Sequence, residues 1–284
     1  MLFSLLIANY NNGRFFKDCY NSIIAQTYNN WEAIIVEDGS TDDSVSIINE
    51  LIGNDPRFKF YQNDKNYGCG FTKRKCIELA TGDICGFLDP DDTLESTAIE
   101  KMINEHKQND HALVHSNCIM CDENLVEHGL YPRSKPVDSV KKDFFNLGYE
   151  VLAFVSFKRS FYMKTEGIDP YMKRAVDQDL YLKLAEVGSF HFIEDALYYY
   201  RMHHKGISVS NYDRSVFWHW IAIMQAAKRR NVNVEALFLE HYIRKEKFDK
   251  LESAVLKSRV LHIANYWGNR LKFIKRLLRR KSNL

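Results

Sequence analysis

Three polar clusters in the first third of the chain carry residue types that could do chemistry. They are Ala8-Asn9-Tyr10-Asn11-Asn12-Gly13, Glu37-Asp38-Gly39-Ser40-Thr41-Asp42-Asp43 and Asp89-Pro90-Asp91-Asp92, and each directly follows an apolar run. One carboxylate in such a place is often no more than the N-cap of the next helix, a role open to Asp42 or Asp43. Capping does not account for so many carboxylates on one edge, whose mutual repulsion must be offset. A divalent cation does this. An oxygen-rich ligand set points to Mg2+ or Mn2+, and such a metal suits a substrate that carries a diphosphate. Tyr10, beside them, offers an aromatic face on which a base could stack.

The elements that position these clusters are written in the hydropathy. Apolar runs at Phe3–Ala8, Trp31–Glu37, Phe58–Gln62 and Asp83–Leu88 alternate with helical stretches near Phe15–Ala25, Ser44–Leu51 and Phe71–Ala80. Runs that are apolar on both faces are expected of parallel strands covered by helices, so the fold class is α/β. In such sheets ligands bind beyond the carboxyl ends of the strands, where all three clusters fall. A helix over Leu94–Gln108 and strands at Ala112–Cys118 and Ala153–Lys158 follow. Between these strands lies an irregular stretch in which Pro132 and Pro136 expose Arg133 and Lys135, a candidate acceptor side. Asp177–Val187 reads as a helix, Leu197–Arg201 as a strand, and from Phe217 the periodicity is helical only. The domain boundary is set at 208, with an α/β domain over 1–208 and a helical, basic region over 209–284.

The succession LLIANYNN, VEDGSTDDS, Asn66-Tyr67-Gly68, FLDPDD, Asp177-Gln178-Asp179-Leu180 and Tyr200-Arg201-Met202-His203 resembles family 2 glycosyltransferases with the GT-A fold, over residues 3–208. The resemblance implies an inverting transfer of sugar from a UDP-sugar to a hydroxyl of a glycan, often lipid-linked, acceptor. It implies that Tyr10 stacks on uracil, that backbone near Ala8 touches the base, and that Asp38 accepts from the ring NH. Asp89 and Asp91 match the D-x-D motif, with Asp91 the direct ligand of Mn2+ or Mg2+ and Asp92 close by. Asp177 matches the catalytic base, and His203 a histidine near the diphosphate that joins the metal site in some relatives. Four positions depart from the family pattern: Val176 stands where Glu is usual, Glu37 replaces Asp, and Lys73-Arg74 replaces Arg-Asn. Lys73 can still face phosphate, as a point charge without the arginine fork.

The chemistry follows on general grounds. Displacement at the anomeric carbon builds charge on the leaving diphosphate, while a carboxylate opposite deprotonates the incoming hydroxyl. A single displacement inverts the centre. At a helix start the dipole keeps Asp177 ionised. A haloacid-dehalogenase-like phosphohydrolase would use Asp89 as nucleophile in Asp89-Pro90-Asp91-Asp92-Thr93, but that motif usually opens its domain, and here three βα units precede it. A non-catalytic nucleotide-sugar-binding protein is the other alternative, and Val176 is the residue that speaks for it.

Composition completes the picture. With 284 residues, 45% hydrophobic and 13% aromatic, the chain can bury a sizeable core without disulfides, and disorder and low complexity are excluded. The formal charge of +2 hides a partition, since residues 225–284 hold 16 Lys or Arg against 5 Asp or Glu, a net of +11. The remainder is −9. Trp267, Leu271, Ile274 and Leu278 form a helical stripe amid basic residues, which points to an anionic membrane surface as partner of residues 260–284. No nucleic-acid-binding motif accompanies it, so nucleic acid is not expected as a partner. Leu2–Ala8 is too short for a signal peptide and no apolar run reaches bilayer length. The expected location is the cytoplasm, peripheral to the inner face of the membrane, with reduced cysteines. The lone Cys118-x-x-Cys121 reads as two buried thiols.

Overall fold

In the computed structural model, which describes residues 1–204, 206, 212–243 and 250, strand and helix alternate as the hydropathy requires. The order is β1 (Phe3–Asn9), α1 (Gly13–Ile24), β2 (Trp31–Glu37), α2 (Ser44–Ile52), β3 (Phe58–Gln62), α3 (Cys69–Leu79) and β4 (Ile84–Phe87). All seven residues of β2 are buried because both sheet faces are covered. Phe3, Leu5 and Ile7 pack with Phe16 of α1 and Ile48 of α2. Leu6 and Ile34 alternate with them and turn to the face that carries α3. Glu32, inside β2, is tolerated because Lys59, Ser4, Thr81 and Gly82 all donate to it. Burial raises its pKa, and these bonds more than offset that, to about 2. β1 pairs in parallel with β2 and β4, and β2 with β3, so their carboxyl ends share one edge.

Beyond β4 the sheet becomes mixed. β5 (Thr93–Leu94), α4 (Ala98–Gln108), β6 (Leu113–Cys121), β7 (Glu127–Leu130), β8 (Val155–Lys158), α5 (Arg159–Tyr162), α6 (Val176–Ala185) and β9 (Phe190–Arg201) follow. The strand order is β3-β2-β1-β4-β8-β6-β9-β5, with β7 paired to β6. β8 runs antiparallel to both β4 and β6, and β9 runs parallel to β6. β6 and β9 therefore point the same way as β1 and end on the same edge. The helix expected from Leu94 starts at Ala98, because Thr93 and Leu94 are taken up in pairing with Tyr199 and Tyr198. All six cysteines are unpaired, and Cys118 and Cys121 are buried.

The chain divides into compact units Met1–Val232 and Asn233–Leu284, so the division follows α7 (Tyr212–Arg230) instead of preceding it at 208. The physical reason is that α7 belongs to the first unit's core. Trp220, Ala222, Ile223, Ala226 and Ala227 are buried, and Arg230 donates to the carbonyls of Phe144 and Leu182 while pairing with Glu186. Lys228, Arg229 and Arg230, counted with the basic end, are thus part of that unit. In the second unit α8 (Glu235–Phe238) passes into a π-helical turn, Leu239–Ile243. Residues 260–284, with their stripe, lie outside the described residues. Among the described residues no helix is long and apolar enough to cross a membrane.

His115, in β6, is fully buried, and neither ring nitrogen has a hydrogen-bond partner among the described residues. Burial, with a smaller push from His191, lowers its pKa to about 3. A histidine lowered on folding contributes stability above its unfolded pKa and loses it as pH falls toward the folded value. His115→Leu is therefore expected to stabilise the protein by about 1–2 kcal/mol at pH 7. The advantage should grow by about 2 kcal/mol at pH 5, where the unfolded wild-type imidazole is protonated. Urea unfolding of both proteins at the two pH values checks it, and an advantage that does not widen in acid contradicts it.

Candidate active site

The carboxyl-end edge is built first by its turns. Glu37, buried at the end of β2, accepts from Asn9 Nδ2 at 2.5 Å and from the Ser40 amide at 2.6 Å. Its longer arm folds the chain back through Gly39 (φ 72°), where a Cβ would lie 2.7 Å from the Lys65 carbonyl carbon. Asn11 Oδ1 accepts from the Thr41 and Asp42 amides, and Asp42 Oδ1 accepts from the Ser44 amide at 3.0 Å. Asp42 is thus the residue that braces the start of α2; Asp43, at the cap position, makes no capping bond. Tyr10 stands above this framework, 43% exposed. Ala8 sits beneath it on β1, opposite Val36.

Asp38 is buried, and its oxygens accept from Asn63 Nδ2 at 2.8 Å, the Tyr67 amide at 3.0 Å and the Gly68 amide at 2.8 Å. A carboxylate has about four acceptor positions, so one is left for a ligand. The residue expected to read a base also holds the Asn66-Tyr67-Gly68 segment in place, and the second and third motifs form one unit. Gly68 (φ 97°) closes that loop against Lys173.

The third cluster splits three ways. Asp92 is buried and turned into the protein, accepting from Tyr198 Oη at 2.8 Å and from the Arg201 amide at 2.6 Å. Burial first, then Asp91 and Asp89, push its pKa well up. Asp91 Oδ2 meets His203 Nε2 at 2.8 Å. The His203 ring, whose side chain is 2% exposed, packs 4.8 Å from Phe15 with Arg14 3.4 Å from its Nδ1. Asp89 Oδ1 turns to Lys73 Nζ at 3.2 Å. Although its side chain is 42% exposed, the protein packed around it raises its pKa, Lys73 lowers it, and Asp177 and Asp91 raise it, with a net upward shift. Asp89, Asp91 and His203 therefore share the cleft without forming a ready-made three-ligand cluster among the described residues.

Lys73 is buried on α3, and its ammonium also pairs with Asp177 Oδ1 at 2.8 Å. Burial alone would lower its pKa, but Asp177 and Asp89 drive it well above the usual lysine range. The lysine expected to face phosphate thus bridges two carboxylates from opposite sides of the cleft. Asp177 is set apart on α6: every other residue of that helix is buried, while its side chain is 43% exposed. It caps nothing, since the cap residue is Ala175 in a left-handed conformation (φ 52°). The neighbouring Gln178 ties α6 to the irregular segment, donating to the Phe145 carbonyl and accepting from Asn146. In that segment Pro132, Arg133, Lys135, Gly148 and Glu150 line a surface depression.

Arg201, to which the sequence reading gave no role, ties these parts together. Its side chain donates to the Asp91 carbonyl at 2.7 Å, the Glu123 carbonyl at 2.8 Å and Asp18 Oδ2 at 2.7 Å, and lies 4.5 Å over the Phe15 ring. It falls within the Tyr200-Arg201-Met202-His203 motif, but Asp18 is 183 residues away and no local spacing points to it.

Comparison with known proteins places this geometry. The model of "Glycosyl transferase family 2" matches residues 4–167. Chondroitin synthase of Escherichia coli is 30% identical over 238 residues, covering 81% of this chain and 33% of that protein. Hyaluronan synthase of Pasteurella multocida is 27% identical over 260 residues, covering 89% of this chain and 25% of that protein. The chain spans a quarter to a third of the length of these relatives. Among solved structures, S. aureus TarS 1-349 in complex with UDP-GlcNAc superposes with a TM-score of 0.63 at 18% identity, covering 79% of this chain and 67% of that one. The mannosyltransferase PcManGT from Pyrobaculum calidifontis, in complex with GDP-Man and Mn2+, gives 0.61 at 15%, covering 78% and 64%. The likeness bears out the GT-A fold expected from the sequence.

Proposed function

Because the chain belongs to glycosyltransferase family 2, we propose that it transfers a sugar from a UDP-sugar to a hydroxyl of a glycan acceptor, with inversion and with Mn2+ or Mg2+. The observation that carries this reading is the bridging of Asp89 and Asp177 by Lys73, beside the Asp91–His203 pair and below an open Tyr10. One wall of the cleft suits a nucleoside diphosphate and the other presents a lone exposed carboxylate.

In this reading uracil stacks on Tyr10 beside Ala8, and the remaining acceptor position of Asp38 takes the ring NH. Asp91 and His203 would hold the metal, with Asp89 nearby. The fit is good, because one carboxylate and one imidazole leave positions for phosphate oxygens, and the imidazole favours Mn2+ over Mg2+. The metal, when bound, supplies positive charge that stabilises the leaving diphosphate. Asp177 takes the proton from the acceptor hydroxyl, whose oxygen attacks the anomeric carbon from the face opposite the diphosphate. Lys73 fixes Asp177 Oδ1 and leaves Oδ2 for that proton. The depression at Pro132–Glu150 is a candidate acceptor surface. Release of UDP from a donor panel beginning with UDP-GlcNAc, with and without Mn2+ and acceptors, tests the reading. Release is expected to need metal, and Asp91→Asn is expected to raise the Mn2+ concentration required by more than about tenfold. No release from any donor and acceptor pair would favour a nucleotide-sugar-binding protein instead.

The basic stripe of residues 260–284 supports a second element of the proposal, that the chain rests on the anionic inner face of the cell membrane, where a lipid-linked glycan acceptor would lie. Flotation with anionic liposomes, with and without residues 260–284, separates the cases: the truncated chain should stay at the bottom, and equal flotation ends the idea.

A further inference from the structure

At the opposite end of β6 and β9 from the cleft, three side chains converge that the transfer reaction does not use. Glu105 lies in the last turn of α4, His111 in the segment that leads into β6, and His191 at the start of β9. We propose that Glu105, His111 and His191 form a second metal site, one that takes Zn2+ or a similar borderline divalent ion.

The distances carry this. Glu105 Oε1 is 3.9 Å from His111 Nε2 and 3.7 Å from His191 Nε2, and the three ligand atoms all lie within 4.8 Å of one another. Such separations are too long for hydrogen bonds. The two Glu105 distances exceed by only a few tenths of an ångström the roughly 3.4 Å between ligands of a tetrahedral ion with bonds of about 2.0–2.1 Å, while the two imidazole nitrogens, within 4.8 Å of each other, have further to close. The two imidazoles stack, with centroids 5.2 Å apart and an interplanar angle of 23°, so His191, the more exposed of the pair, must rotate out of the stack for both nitrogens to face one ion.

The surroundings are those of a supported site. Ser189 Oγ holds His111 Nδ1 at 2.8 Å, which leaves Nε2 facing Glu105, and Asn109 Nδ2 donates to Glu105 Oε1 at 2.7 Å. Outer bonds of this kind orient metal ligands. The nearby cation Lys158 is held away by Asp110 at 2.6 Å and by the Asn109 carbonyl at 3.0 Å. All three ligands are partly exposed, so an ion can enter from solvent. Two imidazoles and one carboxylate with an open fourth position suit zinc, whereas Mg2+ asks for oxygen. Ten residues of β9 separate His191 from Arg201, about 30 Å of strand, so this site is distinct from the carboxylate cleft.

The test uses the full chain stripped by chelator and then held in millimolar Mg2+ to occupy the cleft. Equilibrium dialysis against micromolar Zn2+ should retain one ion per chain, and Co2+ as an optical probe should give the intense visible bands of a tetrahedral site. His191→Ala and Glu105→Gln should each weaken retention by about tenfold or more with unchanged circular dichroism. Asp91→Asn should retain the ion as wild type does. Retention unchanged in a His111→Ala/His191→Ala double variant, loss of the ion in Asp91→Asn, or no retained zinc in wild type would each overturn the proposal.

Discussion

Asp177→Asn is expected to lower kcat for sugar transfer by about 10³-fold while the donor KM stays within about threefold. The asparagine keeps the size and the helix position, so α6, whose other residues are all buried, should not be disturbed. It accepts no proton, and the hydroxyl must then attack without a base. The unchanged donor KM is the discriminating part. Asp177 meets Lys73 but makes no other hydrogen bond among the described residues, so its loss should not reshape the nucleotide wall. A folded Asp177→Asn enzyme with wild-type turnover would remove Asp177 from the mechanism. A large rise in donor KM at constant kcat would recast it as a binding residue.

The second large effect concerns stability. Arg201→Ala is expected to cost about 3–5 kcal/mol, which in a unit of this size lowers Tm by about 10 °C. The loss is more than that of an ion pair. The guanidinium is buried and serves two carbonyls and Asp18 at once, and its removal leaves the carbonyls of Asp91 and Glu123 without that donor. Arg201→Lys should recover less than half of the loss, because an ammonium on a flexible stem lacks the fork that reaches three acceptors. Thermal and urea unfolding of the three proteins measure it. A Tm for Arg201→Ala within about 2 °C of wild type would show that the residue does not brace the cleft.

How much of this was legible depended on how local the signal was. β2 and β3 have the bounds that their runs predict: β2, buried at every position, announces itself by composition, and the half-buried β3 by its aromatic residues Phe58, Phe60 and Tyr61. β7 escaped because Glu127–Leu130 is exposed at every position and carries no apolar pattern. β9 was read only at Leu197–Arg201, because Phe192–Asp195 in its first half is partly or fully exposed. The antiparallel direction of β8 is a property of pairing that a short apolar run does not encode. In the site, Tyr10 and Asp91 stand out in the sequence by their place after a strand, whereas Asp177 is singled out by the family resemblance. The hold of Asp38 on Tyr67 and Gly68, the turn of Lys73 away from solvent toward two carboxylates, and the reach of Arg201 to Asp18 depend on segments far apart in sequence.

The strand that closes the cleft also fixes when the cleft can exist. The segment matched by the family model, residues 4–167, contains Asp89, Asp91 and Asp92 but ends before Asp177, Tyr198, Arg201 and His203. A growing chain of that length holds three neighbouring carboxylates with neither the tyrosine, the arginine nor the histidine that receives them. At ribosomal speeds the next 36 residues, up to His203, take about 2–7 s to appear. Bonds that join residues 106 to 183 positions apart form only after that. The family-matched segment is therefore shorter than the smallest piece that can complete its own acidic edge, and the cleft is among the last parts of the sheet to form.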